Sequence, residues 1–460
     1  MVQYPMLSLE IMRSWVERHQ SEWLEDYYAF LRFASISSEP ESKPALLNCV
    51  EWLTDYVGRL DFQVETWQSK GHPILFASHK RAGPDQPTLL IYNHYDVQPV
   101  DPIEGWRSPP FEPVLRDGEI YARGAQDNKG QCFYVLQALK MWKECVGSLP
   151  INVKLCIEGE EEMGSPNLAT LLAAKKEALQ ADYVAIVDLG LRQAAIPALT
   201  LGIRGIITLD VGLKGSETDL HSGSHGGIVV NPIHALVKLL AGLHDEKGKI
   251  TIPDFYQEVE EVPLDKSLSL EFDCEEYRRR TGAVPEGGER EYSPLERAWL
   301  RPTLEINGIS GGYSGAGFKT VIPAQAWAKI SCRLVPHQQP ERIAELVATY
   351  LKQQAPLGMT VSVEVHPGKG KAVRVNADAR AVRSFGKAFQ EVFDTPCECI
   401  LEGASIPIVA ELAEASGGET ILLGLGLSTD HIHAPNEHFG LDRLKNGMLV
   451  IARALELLKN

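Results

Sequence analysis

The chain has 460 residues, 44% of them hydrophobic and 23% charged, with a formal net charge of −16. That length suits two domains with a substantial core, and so acidic a balance excludes the basic patch of a nucleic-acid binder. No apolar run reaches the roughly 18 residues of a membrane span. Glu10, Arg13, Glu17 and Arg18 leave no signal-peptide core, and eight scattered cysteines read as reduced thiols in the cytoplasm.

Leu7 to Phe33 is amphipathic and helical in character, and Pro44 to Leu60 is a second helix with Pro44 in its first turn. Phe62 to Trp67 and Ile74 to Ser78 are short strands. Thr88 to Tyr92 is a core strand that runs into Asn93, His94, Tyr95 and Asp96. Proline-rich sequence from Pro99 to Pro113 excludes regular structure. Ile120 to Ala122 leads through a glycine-bearing turn with Asp127 into an apolar helix ending near Cys145. Ile151 to Ile157 has the β-branched character of a buried strand and ends in Glu158, Gly159, Glu160, Glu161 and Glu162. A helix over 166–179 and a strand from Tyr183 to Val187, closing on Asp188, follow. This alternation predicts a sheet covered by helices on both faces.

The pattern changes near residue 200. Ile203 to Leu213 and Ala326 to Val335 alternate with period two, Met359 to Val365 is β-rich, and helices are expected over 232–244 and 340–355. This mixture predicts a separate α+β domain with helices on one face of its sheet. The polar stretch from 250 to 300 carries no assignable element. Helices near 378–393, 406–415 and 441–458 restore the first style, so one domain is read as interrupted by the other: 1–200 and 373–460 against 201–372.

Four carboxylates at the end of a core strand repel one another and must face water or be neutralised by cations. Taken alone the run reads as a solvated loop. Four more candidate ligands stand at strand ends or turns, where open α/β sheets place their sites. His94, Asp127, Glu162, Asp188 and His433 together suit zinc, manganese or cobalt, and one bridging carboxylate lets five side chains serve two ions.

The motifs HYDVQP at 94–99, RGAQDNKGQ at 123–131, EGEEEMGS at 158–165, IVDLG at 186–190, DLHSG at 219–223 and HAPNE at 433–437 resemble the zinc-dependent M20 metallopeptidases. The likeness is greatest to their dipeptidase and carnosinase branch. It implies an α/β fold, a mixed sheet flanked by helices, with an inserted α+β lid and dimerisation domain. It implies two zinc ions per subunit, with manganese or cobalt as alternatives. His94 and Asp188 would serve different ions, Asp127 would bridge them, and Glu162 and His433 would complete the set. His431 is a rival to His433. A cis peptide is expected after Asp127. Glu161 would be the general base, facing away from Glu162 if the segment is extended. Asp96 would accept the hydrogen bond that fixes the His94 ring.

The same resemblance has His221 stabilise the oxyanion in the partner subunit of a homodimer. Arg333 would grip the substrate carboxylate, for which a guanidinium has the bidentate geometry. Ser405 reads as an N-cap before a helix whose free N–H groups would bind an anion. Thr320 and His366 are further pocket candidates, each with a plain reading as a turn or exposed polar residue. Asn128 and Ala404 depart from the usual Asp and Gly, and Glu160 has no assigned role. The expected reaction is hydrolysis of a dipeptide or small peptide, with an N-acyl-amino-acid amidohydrolase as the alternative. No G-x-S-x-G, P-loop or strand-coupled G-x-G-x-x-G occurs.

Overall fold

A strand buried along its whole length needs cover on both faces, and Asn152–Glu158, buried at all seven residues, has it. In the computed structural model, which describes residues 7–260, 268 and 270–459, it lies inside a mixed sheet. The order across that sheet is Gln63–Trp67, Ile74–His79, Asn152–Glu158, Thr88–His94, Tyr183–Val187, Glu419–Leu423 and Ala198–Ile203. Asn152–Glu158, Thr88–His94, Tyr183–Val187 and Glu419–Leu423 run parallel, so their C-terminal ends share one edge. Ile74–His79 joins antiparallel at one side. The helix Lys129–Val146 is buried along most of its length and packs on Leu441–Leu457. Gly147, with φ +87°, ends it in the left-handed conformation that glycine adopts without steric cost.

The chain divides into two units. The first comprises the residues up to Gly202, Val375–Ile400 and the chain from Ile408 onward; the second comprises Ile203–Arg374 and Leu401–Pro407. Leu401–Pro407 belongs to the second unit although its sequence neighbours belong to the first. Arg204 Nε donates to the Gly403 carbonyl at 2.9 Å, and an Arg333 amino group donates to Ser405 Oγ at 2.8 Å. The second unit contains a four-stranded antiparallel sheet in the order Thr303–Gly311, Gln325–Leu334, Gly205–Lys214 and Thr360–Val365. Along Gln325–Leu334 every second residue is buried, and the helices Pro232–Ala241 and Pro340–Gln353 contribute to that covered face.

Three expectations need correction. The first helix is two, Leu9–Arg18 and Gln20–Leu31, because His19 between them has φ −100° and ψ 12°. The stretch 166–179 likewise breaks into Leu168–Ala174 and Lys176–Leu179. Within 250–300 two helices do form, Cys274–Thr281 and Pro294–Trp299. The second starts in a reciprocal cap between Ser293 and Glu296 that weak apolar periodicity does not reveal. Residues 261–267 and 269 of that stretch lie outside the described residues.

Candidate metal centre

The shared strand edge delivers the ligands. His94 ends the strand Thr88–His94, Asp188 follows Tyr183–Val187, and Glu162 follows Asn152–Glu158 within a short 3₁₀ turn. Asp127 stands in the turn before the helix Lys129–Val146, and His433 in the loop after Glu419–Leu423. Among the described residues two groups can hold a metal ion: His94, Asp127 and Asp188, and Asp127, Glu162 and His433. Within each group the ligand atoms lie within 4.8 Å of one another, and Asp127 is common to both. His94 Nε2 is 3.2 Å from Asp127 Oδ1 and 3.6 Å from Asp188 Oδ1. His433 Nε2 is 2.9 Å from Asp127 Oδ2 and 3.2 Å from Glu162 Oε2.

This geometry revises two expectations. His94 and Asp188 lie in the same group, not on different ions, because their parallel strands are direct neighbours. Glu161–Met163 is a 3₁₀ turn, so the opposite facing of Glu161 and Glu162 cannot come from strand alternation. His431 packs its ring against His438 at 5.5 Å, and of these neighbouring histidines it is His433 that meets Asp127. The Asp127–Asn128 peptide is cis.

Around the ligands stand buried polar residues, Asp96 at the His94 ring among them, whose full set of bonds only the structure shows. Asp96 touches the ring nitrogen Nδ1 of His94 through both its carbonyl, at 3.1 Å, and its carboxylate, at 3.3 Å. Its carboxylate also accepts the backbone N–H groups of Glu161 and Glu162, at 3.2 and 3.1 Å. Asn128 donates to Asp188 Oδ1 at 2.6 Å, a bond that an ionised Asp in its place could not make. Glu437, fully buried, accepts from the N–H groups of Gly124, Gln126 and Asp127 and from Arg123, all at 2.8–3.0 Å. One carboxylate four residues beyond His433 thus fixes the turn that carries Asp127.

The electrostatics match that crowding. Burial, with repulsion from Asp188, Glu162 and Asp127, holds the Glu161 carboxyl well above the usual carboxylate range. Burial and Asp127 push Glu162 up to about 7. Burial would raise Asp127 too, but the hydrogen bonds of His433 and His94 bring it below the ordinary value. His433 is raised to about 11, first by its bond to Asp127 and then by that to Glu162. Carboxylates pressed together out of water fit divalent cations, and two groups of nitrogen and oxygen donors sharing one carboxylate fit a pair of them.

The remaining candidates lie in the second unit. His221 is exposed in a two-residue strand paired with Val321–Ile322, and its Nδ1 accepts from Gly223 N–H at 3.1 Å. Thr320 is exposed, and its carbonyl accepts from Ser222 N–H at 3.0 Å. His366 pairs with Asp210 at 3.4 Å. Ser405 caps no helix: the nearest, Val409–Ser416, begins after Ile408, and the Ser405 hydroxyl donates to the Gly205 carbonyl at 3.0 Å. The N–H groups of Gly403 and Ala404, just before Ser405, are taken by Glu402 Oε1, at 2.7 and 3.1 Å.

A carboxylate-bridged pair of cation sites at the C-terminal edge of a helix-covered sheet defines a dinuclear metallohydrolase. The family model described as peptidase family M20/M25/M40 matches residues 90–457. The chain is 31% identical to the Cys-Gly metallodipeptidase of Candida albicans, covering 96% of each chain. Among solved structures, a metallo-carboxypeptidase of the M20 family from Sulfolobus solfataricus superposes with a TM-score of 0.87. The identity is 31%, covering 95% of this chain and 99% of the other. Human carnosine dipeptidase 1 superposes with a TM-score of 0.83 at 30% identity, covering 99% and 100%. The protein belongs to the M20 family of metallopeptidases, in the branch that includes these dipeptidases. Among the described residues no helix is long and apolar enough to cross a membrane.

Proposed function

We propose that the protein is a zinc-dependent dipeptidase, and that manganese or cobalt can replace zinc. The observation that carries this reading is Asp127, shared by two three-residue groups of metal-binding type, with the Glu161 carboxyl buried beside them. The dipeptidases among its relatives, similar along nearly their whole length, favour dipeptides as the substrate class. When bound, the ions supply a Lewis acid for the scissile carbonyl and acidify water. Glu161 then takes the proton of the attacking water and returns it to the leaving amine. Asp96, through the amides of Glu161 and Glu162 and the ring of His94, keeps base and ligands in register.

Substrate recognition falls to the second unit in this reading. Arg333 has a guanidinium edge beyond its bond to Ser405 and would bind the substrate carboxylate. His221 would donate to the oxyanion in the partner subunit of a homodimer. Its exposure supports that role, as do the exposed apolar side chains Ile228, Val229, Val230, Tyr313 and Phe318 on the neighbouring loops, since such patches mark interfaces. The protein would work in the reducing cytoplasm, where its eight scattered cysteines would stay reduced.

The test is to strip the metal, reload with zinc and compare dipeptides, tripeptides and N-acyl amino acids as substrates. Dipeptides should be cleaved with the highest kcat/KM, and only after reloading. Preference for N-acyl amino acids would make the protein an amidohydrolase instead. Full activity in the stripped protein would end both readings.

A further inference from the structure

The run Glu158 to Glu162 divides its work. Glu161 and Glu162 face the metal groups, but Glu160 turns away, buried at 4% exposure with its carboxylate on a different part of the chain. Asn167 Nδ2 donates to both Glu160 oxygens, at 3.0 and 3.2 Å. On the other side the carboxylate lies against Gly71, so closely that a Cβ built there would stand 1.7 Å from Oε1 and 2.4 Å from Cδ. Gly71 lies in the connection between the antiparallel strands Gln63–Trp67 and Ile74–His79, and its lack of a side chain leaves the space that the carboxylate occupies. The turn around it is itself held. Ser69 Oγ accepts from Gly71 N–H at 2.9 Å and donates to the His72 carbonyl at 2.9 Å, and the His72 ring meets the Ser37 carbonyl at 3.0 Å.

The backbone of Glu160 completes the arrangement. Its carbonyl accepts from Met163 N–H at 3.1 Å and from Ser165 N–H at 2.9 Å, so the 3₁₀ turn carrying Glu161 and Glu162 closes on Glu160. From the other side Asp96 holds the two amides of that turn. We propose that Glu160 is a positioning residue. Seated between Asn167 and Gly71, it sets where the turn presents Glu162 to its ion and Glu161 to the reacting water. The inference rests on the ligand and base assignments proposed above. It predicts an asymmetry: disturbing Glu160 displaces the group Asp127, Glu162 and His433 and leaves His94, Asp127 and Asp188 in place. Removing a partner that orients a ligand typically costs about 10–100-fold in metal affinity or activity, and a misplacement of about 1 Å in a reacting group costs a similar factor.

Two substitutions reach the same displacement by different routes. Glu160→Ala removes the anchor. Gly71→Ala leaves Glu160 intact and drives its carboxylate, the movable end of a side chain, out of its seat. Glu160→Gln keeps an oxygen for Asn167 and is the conservative control. Zn²⁺ is titrated into each metal-stripped full-length chain by calorimetry, with thermal unfolding to confirm folding and kcat and KM from a cleaved dipeptide. Expected for Glu160→Ala and Gly71→Ala is a first ion bound as in the parent, a second bound at least tenfold more weakly, and a fall in kcat with KM little changed. Glu160→Gln should stay within a few-fold on every measure. The proposal is overturned if Glu160→Ala, folded, binds both ions as the parent does and keeps its kcat, or if Glu160→Gln loses as much as Glu160→Ala. Glu162→Gln separates the two levels. Should it lose the second ion while Glu160→Ala loses none, the anchor alone is wrong. Should it keep both ions tightly, the ligand assignment fails and takes the anchor with it.

Discussion

The metal centre and the substrate candidates differ in how far the fold has already placed them. In the first unit His94, Asp127, Glu162 and Asp188 have side chains less than 15% exposed, and their partners Asp96, Asn128 and Glu437 are buried with hydrogen bonds made. In the second unit His221 and Thr320 are exposed, the ring of the first accepting from Gly223 N–H and the carbonyl of the second from Ser222 N–H. Arg333 and His366 spend part of their bonding on Ser405 and Asp210. The difference teaches that the metal-binding groups are preorganised at a sheet edge, whereas the recognition residues proposed above are surface groups that, in that proposal, would gain further partners from a ligand or another subunit. Preorganised groups are expensive to disturb and solvent-facing ones less so.

Four experiments can break or sharpen that contrast. The largest effect is expected from Asp127→Ala, which removes the only ligand common to both groups. Metal analysis after dialysis should show both ions lost and activity abolished, whereas His433→Ala should retain one ion on His94 and Asp188. Equal metal content in the two variants would contradict a shared carboxylate.

Next is Glu161→Gln, which keeps the shape of the base without its function. Activity should fall about 10²–10⁴-fold with both ions retained. If Glu161→Gln lost an ion and Glu162→Gln kept both, the two roles are exchanged.

His221→Ala should lower kcat about 10²–10³-fold, the usual effect of losing one oxyanion donor, with metal content unchanged. Mixing His221→Ala with Glu161→Gln under conditions that exchange subunits should restore activity, since one site of the hybrid dimer has both residues. Exchange without recovery would place His221 in its own chain's site or outside catalysis altogether.

The smallest effect is expected from Arg333→Ala. A hydrogen bond to a charged group is worth about 1.5–3 kcal/mol, so KM should rise about 10–100-fold while kcat and metal content stay near those of the parent. A dipeptide amide, lacking the carboxylate, should show no such penalty, and if it suffers equally Arg333 does not read the carboxylate.

What the amino-acid sequence determined by itself is the local part of this design. Ligand-type residues at the ends of β-branched runs are visible because strand period, strand ends and metal-donor chemistry are all short-range properties. The same holds for the alternation read from Ala326 to Val335, which announced a sheet with one covered face and became the strand Gln325–Leu334. Only the tertiary structure decided how those residues combine. His94 and Asp188 fall in one group because their strands became neighbours, although 93 other residues separate them in the chain. Glu437 clamps the Asp127 turn from 310 positions away, and Gly71 receives the Glu160 carboxylate from a loop that no local pattern connects with it. Ser405 looked like a helix cap and became a partner of Arg333, because Leu401–Pro407 joined the second unit. Residue types declare what bonds they can make, but the choice of partner depends on which distant segments the packed sheet brings within about 3 Å of one another.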